Sequence, residues 1–226
     1  MMKKVVVYGN TTLSKMLFYD AMGNVNFEIV CFTVDKEYLQ NTEFLGLPQL
    51  DFDRIEKTYP ADEYDMIAVL SGYRCMRDRE KMFLKAKSKG YYLRNYISPK
   101  ADFSPAINLG ENNIVMAQSH IGTGGSMGNN NIIRQNVYLG HDFHLGNNNF
   151  IGPGCNIGGN CIIRNTCFIG LGATIINNIT IEDETLIGAG SVVIRNTEPF
   201  SKNVGNPART IGYHKEEGIR MSVDHG

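Results

Sequence analysis

An apolar residue recurs at every sixth position of this sequence, from residue 97 to residue 193, without one exception. The series fills 17 consecutive registers, whereas a chain that is 42% apolar would fill about seven of them by chance. A fixed short period indicates a repeat fold in which each unit buries its apolar side against the next unit. The members are Ile97, Phe103, Leu109, Val115, Ile121, Met127, Ile133, Leu139, Leu145, Ile151, Ile157, Ile163, Ile169, Ile175, Ile181, Ile187 and Val193.

The residue directly after the apolar position is glycine in nine of the 17 registers. Because glycine adopts positive φ without steric cost, we predict that this position forms a corner between two short strands. Three strands and three corners close a triangular coil, and neighbouring coils stack at the strand spacing of about 4.8 Å. Residues 97–198 are therefore predicted to form a parallel β-helix of between five and six coils.

A second set of inward side chains is expected two residues before each apolar position, because side chains alternate along a strand. Small residues are common in this slot, which holds Cys155, Cys161, Cys167, Ala173, Thr185 and Ser191. The three cysteines are thus predicted to be core residues rather than metal ligands or redox groups. Five cysteines without paired spacing also favour reduced thiols over disulfides.

Residues 1–96 have a different pattern, in which apolar runs alternate with amphipathic segments. The runs predict strands near residues 5–8, 27–32, 65–70 and 91–96, and the segments 13–22 and 77–89 predict helices. This alternation predicts a small α/β, Rossmann-like domain at residues 1–96. The β-helix at 97–198 and a C-terminal tail at 199–226 would follow it.

The turn after the first predicted strand is a candidate nucleotide site. Gly9 ends that strand, and Asn10 and Thr11 precede the first predicted helix. Backbone N–H groups at such a turn bind phosphate, and Asp35, after the second strand, is placed to meet a ribose. Because the second and third glycines of the dinucleotide fingerprint are absent, an ordinary tight turn with helix-capping threonines is an equally good interpretation.

Charge and hydropathy exclude several classes of partner. The net charge is −1, and the lysines and arginines are scattered, which gives no electrostatic footprint for nucleic acid or for an anionic membrane. The N-terminal apolar run is too short for a signal peptide, and no apolar run is long enough to cross a bilayer. We therefore expect a cytoplasmic protein that acts on small molecules.

Three of the five histidines fall within the repeat. His120 and His144 each precede an apolar position and should point outward, whereas His141 lies at a predicted corner and is followed by Asp142. An exposed imidazole beside a carboxylate is either a general base or a plain surface polar pair. Gly159 follows 18 residues later, so it should lie one strand spacing away, leave room for a slender ligand and expose an N–H for an oxyanion.

A zinc site is a second interpretation of histidines on a β-helix, as in the gamma-class carbonic anhydrases. The registers disfavour this interpretation, because His120 and His144 differ by one coil plus one face and His141 lies at a corner. Zinc ligands would have to converge from different subunits. We therefore expect no bound metal ion.

The repeat and four further segments resemble the hexapeptide-repeat acetyltransferases of bacterial surface-sugar pathways. The segments are Tyr138–Asp142, Ile169–Ala173, Ile187–Gly190 and Gly205–Arg209. The resemblance extends to the sialic acid O-acetyltransferase group and to the nucleotide-aminosugar N-acetyltransferases of bacillosamine and perosamine synthesis. It implies a left-handed β-helix, acetyl-CoA as cosubstrate, and a homotrimer with active sites between neighbouring subunits.

The same resemblance implies roles for individual residues. His141 would be the general base, Asp142 would orient its ring, and Gly159 would donate its N–H to the thioester carbonyl. The residues implied to contact coenzyme A are Gly170, Ala173, Gly188, Ala189, Gly190, Asn206, Pro207, Ala208 and Arg209. Those assigned to the nucleotide-linked sugar are Gly9, Asn10, Thr11 and Asp35.

The implied reaction is direct N-acetylation of a nucleotide-linked amino sugar in the synthesis of bacterial surface polysaccharide such as lipopolysaccharide O-antigen. Two alternatives stay open. The first is O-acetylation of a sugar hydroxyl, which differs in needing no acceptor amine. The second is a non-catalytic trimeric scaffold, which would transfer no acetyl group at all.

Overall fold

The structure is a computed structural model that describes residues 2–23, 26–71 and 75–221. The chain forms two compact units. One unit comprises Met1–Ser71 with Lys81–Asn95, and the other comprises Gly72–Glu80 with Tyr96–Gly226. Within the described ranges, no helix is long and apolar enough to cross a membrane.

The first unit is built on a five-stranded sheet with the order β3-β4-β2-β1-β5. Its strands are β1 (Lys3–Tyr8), β2 (Phe27–Val34), β3 (Glu43–Phe44), β4 (Leu47–Asp51) and β5 (Asp65–Ala68). Its helix is α1 (Thr12–Ala21), and 3-10 turns cover Lys36–Tyr38 and Phe52–Lys57. Helix α2 (Met76–Ser88) belongs to this unit from Lys81 onward and to the second unit before it. β1 lies between β2 and β5 and is parallel to both, and its Val5–Tyr8 run is buried, as expected for a central parallel strand.

One predicted element of this unit is wrong. Residues 91–96 do not form a strand; Leu93 makes a single parallel bridge to Met66, and Tyr96 already belongs to the second unit. The antiparallel β3–β4 pair was not predicted, because a two-residue strand carries no alternation that a sequence pattern can reveal.

The second unit contains one two-residue strand for each register of the repeat. These strands are β6 (Tyr96–Ile97), β7 (Asp102–Phe103), β8 (Asn108–Leu109), β9 (Ile114–Val115), β10 (His120–Ile121), β11 (Ser126–Met127), β12 (Ile132–Ile133), β13 (Tyr138–Leu139), β14 (His144–Leu145), β15 (Phe150–Ile151), β16 (Asn156–Ile157), β17 (Ile162–Ile163), β18 (Phe168–Ile169), β19 (Thr174–Ile175), β20 (Thr180–Ile181), β21 (Leu186–Ile187) and β22 (Val192–Val193). Two longer strands, β23 (Ser201–Val204) and β24 (Arg209–Tyr213), and a 3-10 turn at Lys215–Glu217 follow.

Every third short strand pairs in parallel, so the coils stack into three faces. Face 1 runs from β6 to β21, face 2 from β7 to β22 and face 3 from β8 to β20. β23 extends face 1 in parallel with β21, and β24 turns back antiparallel to β23. The unit is therefore the parallel β-helix that the six-residue period predicted, with the left hand that the family resemblance implied.

The repeat positions form the core of this prism. From Val115 to Val193 their side chains are buried, and the first three, Ile97, Phe103 and Leu109, are partly buried at the end of the stack. Cys155, Cys161 and Cys167 lie in the same core as free thiols, which confirms the prediction. Burial raises the pKa of Cys155 to about 11 and that of Cys167 to about 12.

The structural reason predicted for the corner glycines is wrong. Gly122, Gly140 and Gly158 do not adopt positive φ; instead, a Cβ on Gly140 would lie 2.6 Å from the backbone nitrogen of Gly159 in the next coil. These glycines therefore allow close approach between coils. Left-handed backbone occurs two residues later, at the third position after each apolar residue from Leu109 to Ile187: Asn112, Gln118, Gly124, Asn130, Asn136, Asp142, Asn148, Gly154, Asn160, Thr166, Gly172, Asn178, Glu184 and Gly190.

Arg79, in the first turns of α2, belongs to the second unit and is buried there. Its guanidinium donates to the backbone carbonyl oxygens of Asn130 (2.6 Å) and Asn148 (2.7 Å), which are both at left-handed corners. Burial lowers the pKa of Arg79. One planar donor thus satisfies two backbone acceptors.

Candidate active site

The corner between β13 and β14 carries the predicted catalytic pair. His141 Nδ1 lies 2.8 Å from Asp142 Oδ2, and the two side chains are 55% and 60% exposed. Asp142 adopts the left-handed conformation with φ of 53°, a region in which aspartate is enriched among residues other than glycine. Because Asp142 Oδ2 accepts from Nδ1, the lone pair of the imidazole lies on Nε2.

The coil before this corner leaves space for the carboxylate of Asp142. A Cβ on Gly124, which precedes Asp142 by one coil, would lie 2.3 Å from Asp142 Oδ1. Sequence reasoning missed this residue, although the 18-residue offset that linked His141 to Gly159 also links Gly124 to Asp142. Gly124 therefore belongs to the candidate site as a residue that makes room.

The coil after the corner places Gly159 against the imidazole ring. A Cβ on Gly159 would lie 2.5 Å from His141 Nε2, and the backbone N–H of Asn160 donates to the carbonyl oxygen of His141 at 2.9 Å. The predicted proximity of His141 and Gly159 is therefore confirmed. Glycine at 159 therefore leaves room for the ring against the next coil.

The N–H of Gly159 has a partner in this structure. It donates to Oδ1 of Asn177, one further coil along the same edge, at 3.1 Å. Gly159 is buried, whereas Asn177 is exposed. Asn177 was not predicted as a site residue, and the signal that identifies it is again an offset of 18 residues. That the N–H of Gly159 stabilises the oxyanion stays a prediction. The N–H could do so only if its hydrogen bond to Asn177 were broken.

The other two histidines of the repeat point outward from their strands, as predicted. His120 Nδ1 lies 2.6 Å from Asp102 Oδ2, and its ring stacks on that of Tyr138 with a centroid distance of 5.1 Å. His144 Nδ1 lies 2.8 Å from Ser126 Oγ. Each histidine thus uses Nδ1 in a separate pair, and no three His, Cys, Asp or Glu side chains of the described chain are grouped to bind a metal ion.

The residues assigned to pantetheine fall into two groups. Ala189 and Gly190 are exposed at a corner and Gly188 is half-buried, whereas Gly170, one coil before Gly188, is buried. A Cβ on Gly170 would lie 2.5 Å from the backbone nitrogen of Ala189, so this glycine supports coil stacking.

The assignment of Ala173 to the pantetheine groove is wrong. Its side chain is fully buried in the prism core, since it lies two residues before Ile175 and points inward with it. A methyl group in that position cannot line a surface groove.

The segment assigned to the adenine end of CoA closes the last coil. The backbone N–H of Ala208 donates to the carbonyl oxygen of Val192 on β22 at 2.8 Å. Asn206, Pro207 and Arg209 are exposed, and Arg209 Nη1 donates to the carbonyl oxygen of Ala208 at 2.9 Å. An exposed guanidinium at the start of β24 is suited to a phosphate group.

In the first unit, Gly9 and Thr11 have clear structural roles. Gly9 has φ of 123°, and a Cβ on it would lie 2.2 Å from the carbonyl oxygen of Val69. Thr11 is the N-cap of α1 and forms a capping box with Ser14, which confirms the helix-cap interpretation. The side-chain amide of Asn10 donates to Gln49 Oε1 at 3.4 Å.

Asp35 directly follows β2 and borders an open depression of about 660 Å³ that is lined by Asp35, Lys36, Glu37, Asp53 and Lys85. Its carboxylate accepts from Tyr8 Oη at 2.8 Å and forms an ion pair with Lys85. Burial and the neighbouring Asp35 raise the pKa of Tyr8, whose ring stacks on Phe52 at 3.9 Å. A ligand here would meet a charged surface.

Several solved structures have this architecture. PerB from Caulobacter crescentus, in complex with CoA and GDP-perosamine, is 26% identical, with a TM-score of 0.83 over 94% of this chain and 99% of that chain. The acetyltransferase domain of PglB from Neisseria gonorrhoeae FA1090 is 25% identical, with a TM-score of 0.84 over 92% and 100%. No family model and no curated protein matches the chain.

A third neighbour, WeeI from Acinetobacter baumannii AYE, shares the fold with a TM-score of 0.79 at 21% identity. The agreement with all three extends over more than nine-tenths of this chain, and so covers both compact units. The chain is therefore similar over almost its whole length to PerB and to the acetyltransferase domain of PglB, and it shares the fold of WeeI.

Proposed function

We propose that this protein transfers the acetyl group of acetyl-CoA to the amine of a nucleotide-linked amino sugar. The observation that carries the proposal is the exposed His141–Asp142 pair, whose imidazole lies directly against Gly159 of the next coil. It occurs in a chain whose fold matches PerB, solved with CoA and GDP-perosamine, over almost its whole length. A mutant of perosamine N-acetyltransferase in which a histidine is replaced by asparagine has also been solved with both ligands.

The pair is suited to general base catalysis. Asp142 fixes the imidazole tautomer, so Nε2 of His141 is free to accept a proton. As the amine attacks the thioester carbonyl, an N–C bond forms and the carbonyl electron pair moves onto oxygen. His141 takes the proton from nitrogen, the C–S bond then breaks, and the imidazolium returns the proton to the departing CoA thiolate. No covalent enzyme intermediate is needed.

Binding of the two substrates is part of the same proposal. Coenzyme A would contact the exposed residues Ala189, Gly190 and Arg209, and the nucleotide would contact Asp35 and the turn that begins at Gly9. Backbone N–H groups at the start of α1 favour phosphate. A homotrimer and a cytoplasmic location also stay predictions, testable by light scattering and by cell fractionation.

The decisive experiment is a free-thiol release assay with acetyl-CoA. The acceptors are nucleotide-linked 3-amino and 4-amino sugars, each run beside its hydroxyl counterpart. We expect turnover with one amino sugar and none with its counterpart. Release that depends on a hydroxyl acceptor would replace N-acetylation by O-acetylation, and silence across the panel would contradict the proposal.

The base is tested with the acceptor that the panel identifies. His141→Ala should lower kcat by about 100-fold or more while acetyl-CoA binding is retained, which is the usual effect of losing a positioned base. The matched control is His144→Ala, because His144 is also exposed and also uses Nδ1 in a side-chain pair. Equal activity in the two variants would reject His141 as the base.

A further inference from the structure

One edge of the prism carries a continuous ladder of side-chain amides. The corner N–H groups after β8, β11, β14 and β17 each donate to an Oδ1 one coil later, at 2.8 to 2.9 Å. Each asparagine in the ladder also uses its Nδ2 group on the next Oδ1, at 2.9 to 3.2 Å. The members are Asn129, Asn147, Asn165 and the terminal Asp183. Every donor of this ladder therefore has an acceptor within the protein.

The edge that carries His141 has the same bond only once. Gly159 donates its N–H to Asn177 Oδ1, but the equivalent position of the following coil is Arg195, which offers no acceptor. Among the residues described here, Nδ2 of Asn177 has no hydrogen-bond partner in the protein. The orientation of the carboxamide is fixed, because the reverse placement would bring two N–H groups together.

Asn177 therefore presents an anchored and exposed N–H donor beside the proposed base. The ring of His141 and the carboxamide of Asn177 both lie against Gly159, one from the coil before it and one from the coil after it. The N–H of Gly159 is buried between them. The donor that faces solvent at this corner is thus the side chain and not the backbone.

We propose that Nδ2 of Asn177, rather than the N–H of Gly159, donates the hydrogen bond to the thioester oxygen during acetyl transfer. This inference rests on the proposed function. As the amine adds to the carbonyl carbon, negative charge develops on the carbonyl oxygen, and Nδ2–H stabilises it until the C–S bond breaks. The N–H of Gly159 holds Asn177 Oδ1 and polarises the amide, which strengthens Nδ2 as a donor.

The test compares kcat and the KM for acetyl-CoA in Asn177→Ala, Asn177→Asp and wild type, with the acceptor found by the panel. Loss of one donor to an oxyanion lowers kcat by about 100-fold, so we expect that loss in Asn177→Ala, with KM changed by less than about threefold. Asn177→Asp keeps the acceptor for Gly159 but replaces the donor by a negative charge, so its loss should be at least as large.

The matched control is Asn165→Ala, which removes the same kind of ladder amide from the other edge and should keep wild-type kcat. Wild-type or faster turnover in Asn177→Ala would overturn the inference, because that variant frees the N–H of Gly159 to act as the donor. If the wild-type protein transfers acetyl to no acceptor, the proposed function fails and this inference fails with it. An active wild type with an unaffected Asn177→Ala rejects the inference alone.

Discussion

The imidazole of His141 occupies the space that a side chain at residue 159 would need, since a Cβ on Gly159 would lie 2.5 Å from Nε2. We predict that Gly159→Ala displaces the ring and lowers kcat by about 100-fold, the usual effect of losing a positioned base. Gly159 does not have positive φ, so the backbone accepts alanine and the fold should be retained. Steady-state kinetics and circular dichroism check the two parts.

The control for this variant is Gly212→Ala. A Cβ on Gly212 would have no atom within 4 Å, and its φ is also not positive. Wild-type kinetics are expected there. Full activity in Gly159→Ala would show that the ring position seen here is not the working one.

The second prediction concerns the partner of the base. Asp142→Asn keeps the shape of the side chain but allows the amide to donate, which favours the imidazole tautomer with its proton on Nε2. We expect kcat to fall by about 100-fold with little change in the KM for acetyl-CoA. Unchanged kcat would mean that the 2.8 Å hydrogen bond between His141 Nδ1 and Asp142 Oδ2 has no role in catalysis.

The third prediction concerns stability. Arg79→Met removes two charge-assisted hydrogen bonds and leaves the carbonyls of Asn130 and Asn148 buried without this donor, which should lower the free energy of unfolding by about 3 kcal/mol. Urea denaturation measures the change. Arg164→Met is the control, because its ion pair with Glu182 is half-exposed and should contribute less than about 1 kcal/mol. Equal losses would contradict the assigned role of Arg79.

The fourth prediction follows from the thiol pKa values. Burial raises the pKa of Cys31 to about 12, of Cys155 to about 11 and of Cys167 to about 12, and also raises that of Cys161. Thiolate is the reactive form, so at pH 8 these four groups should resist iodoacetamide in the folded protein. Mass spectrometry should show at most one alkylated cysteine in the folded protein and five after unfolding in urea. Rapid labelling of several thiols at pH 8 would contradict the buried core.

The sequence predicted the β-helix because one period controls both burial and pairing. Seventeen apolar registers became seventeen short strands, and the offset of 18 residues correctly brought His141 to Gly159. The same arithmetic applied to Asp142 and to Gly159 would have identified Gly124 and Asn177. What it cannot supply is the direction of a polar side chain, so it did not reveal that Asn177 already accepts the N–H of Gly159.

Other parts of the molecule were less accessible to pattern reasoning. Ala173 was assigned both to the inward slot and to a surface groove, and burial shows that the inward slot was correct. From the sequence, the glycines at the corners were attributed to a need for positive φ, whereas the structure shows that close contact with the next coil requires them. Asp35 was placed at the right strand end, but its bonds to Tyr8 and Lys85 arise from residues distant in sequence, for which no period exists.

Gly122, Gly140 and Gly158 form a column of glycines that allows the coils to approach closely at the corner of His141, so the distance between coils is fixed there. In most enzymes, loops of adjustable length bring catalytic groups together. Here the separation of the base from its neighbours along the edge is set by the pitch of the stack, about 4.8 Å per coil. Insertions elsewhere in the chain leave this separation unchanged. A single inserted residue between 141 and 159 would instead move every following side chain out of phase, so this stretch should tolerate no change in length.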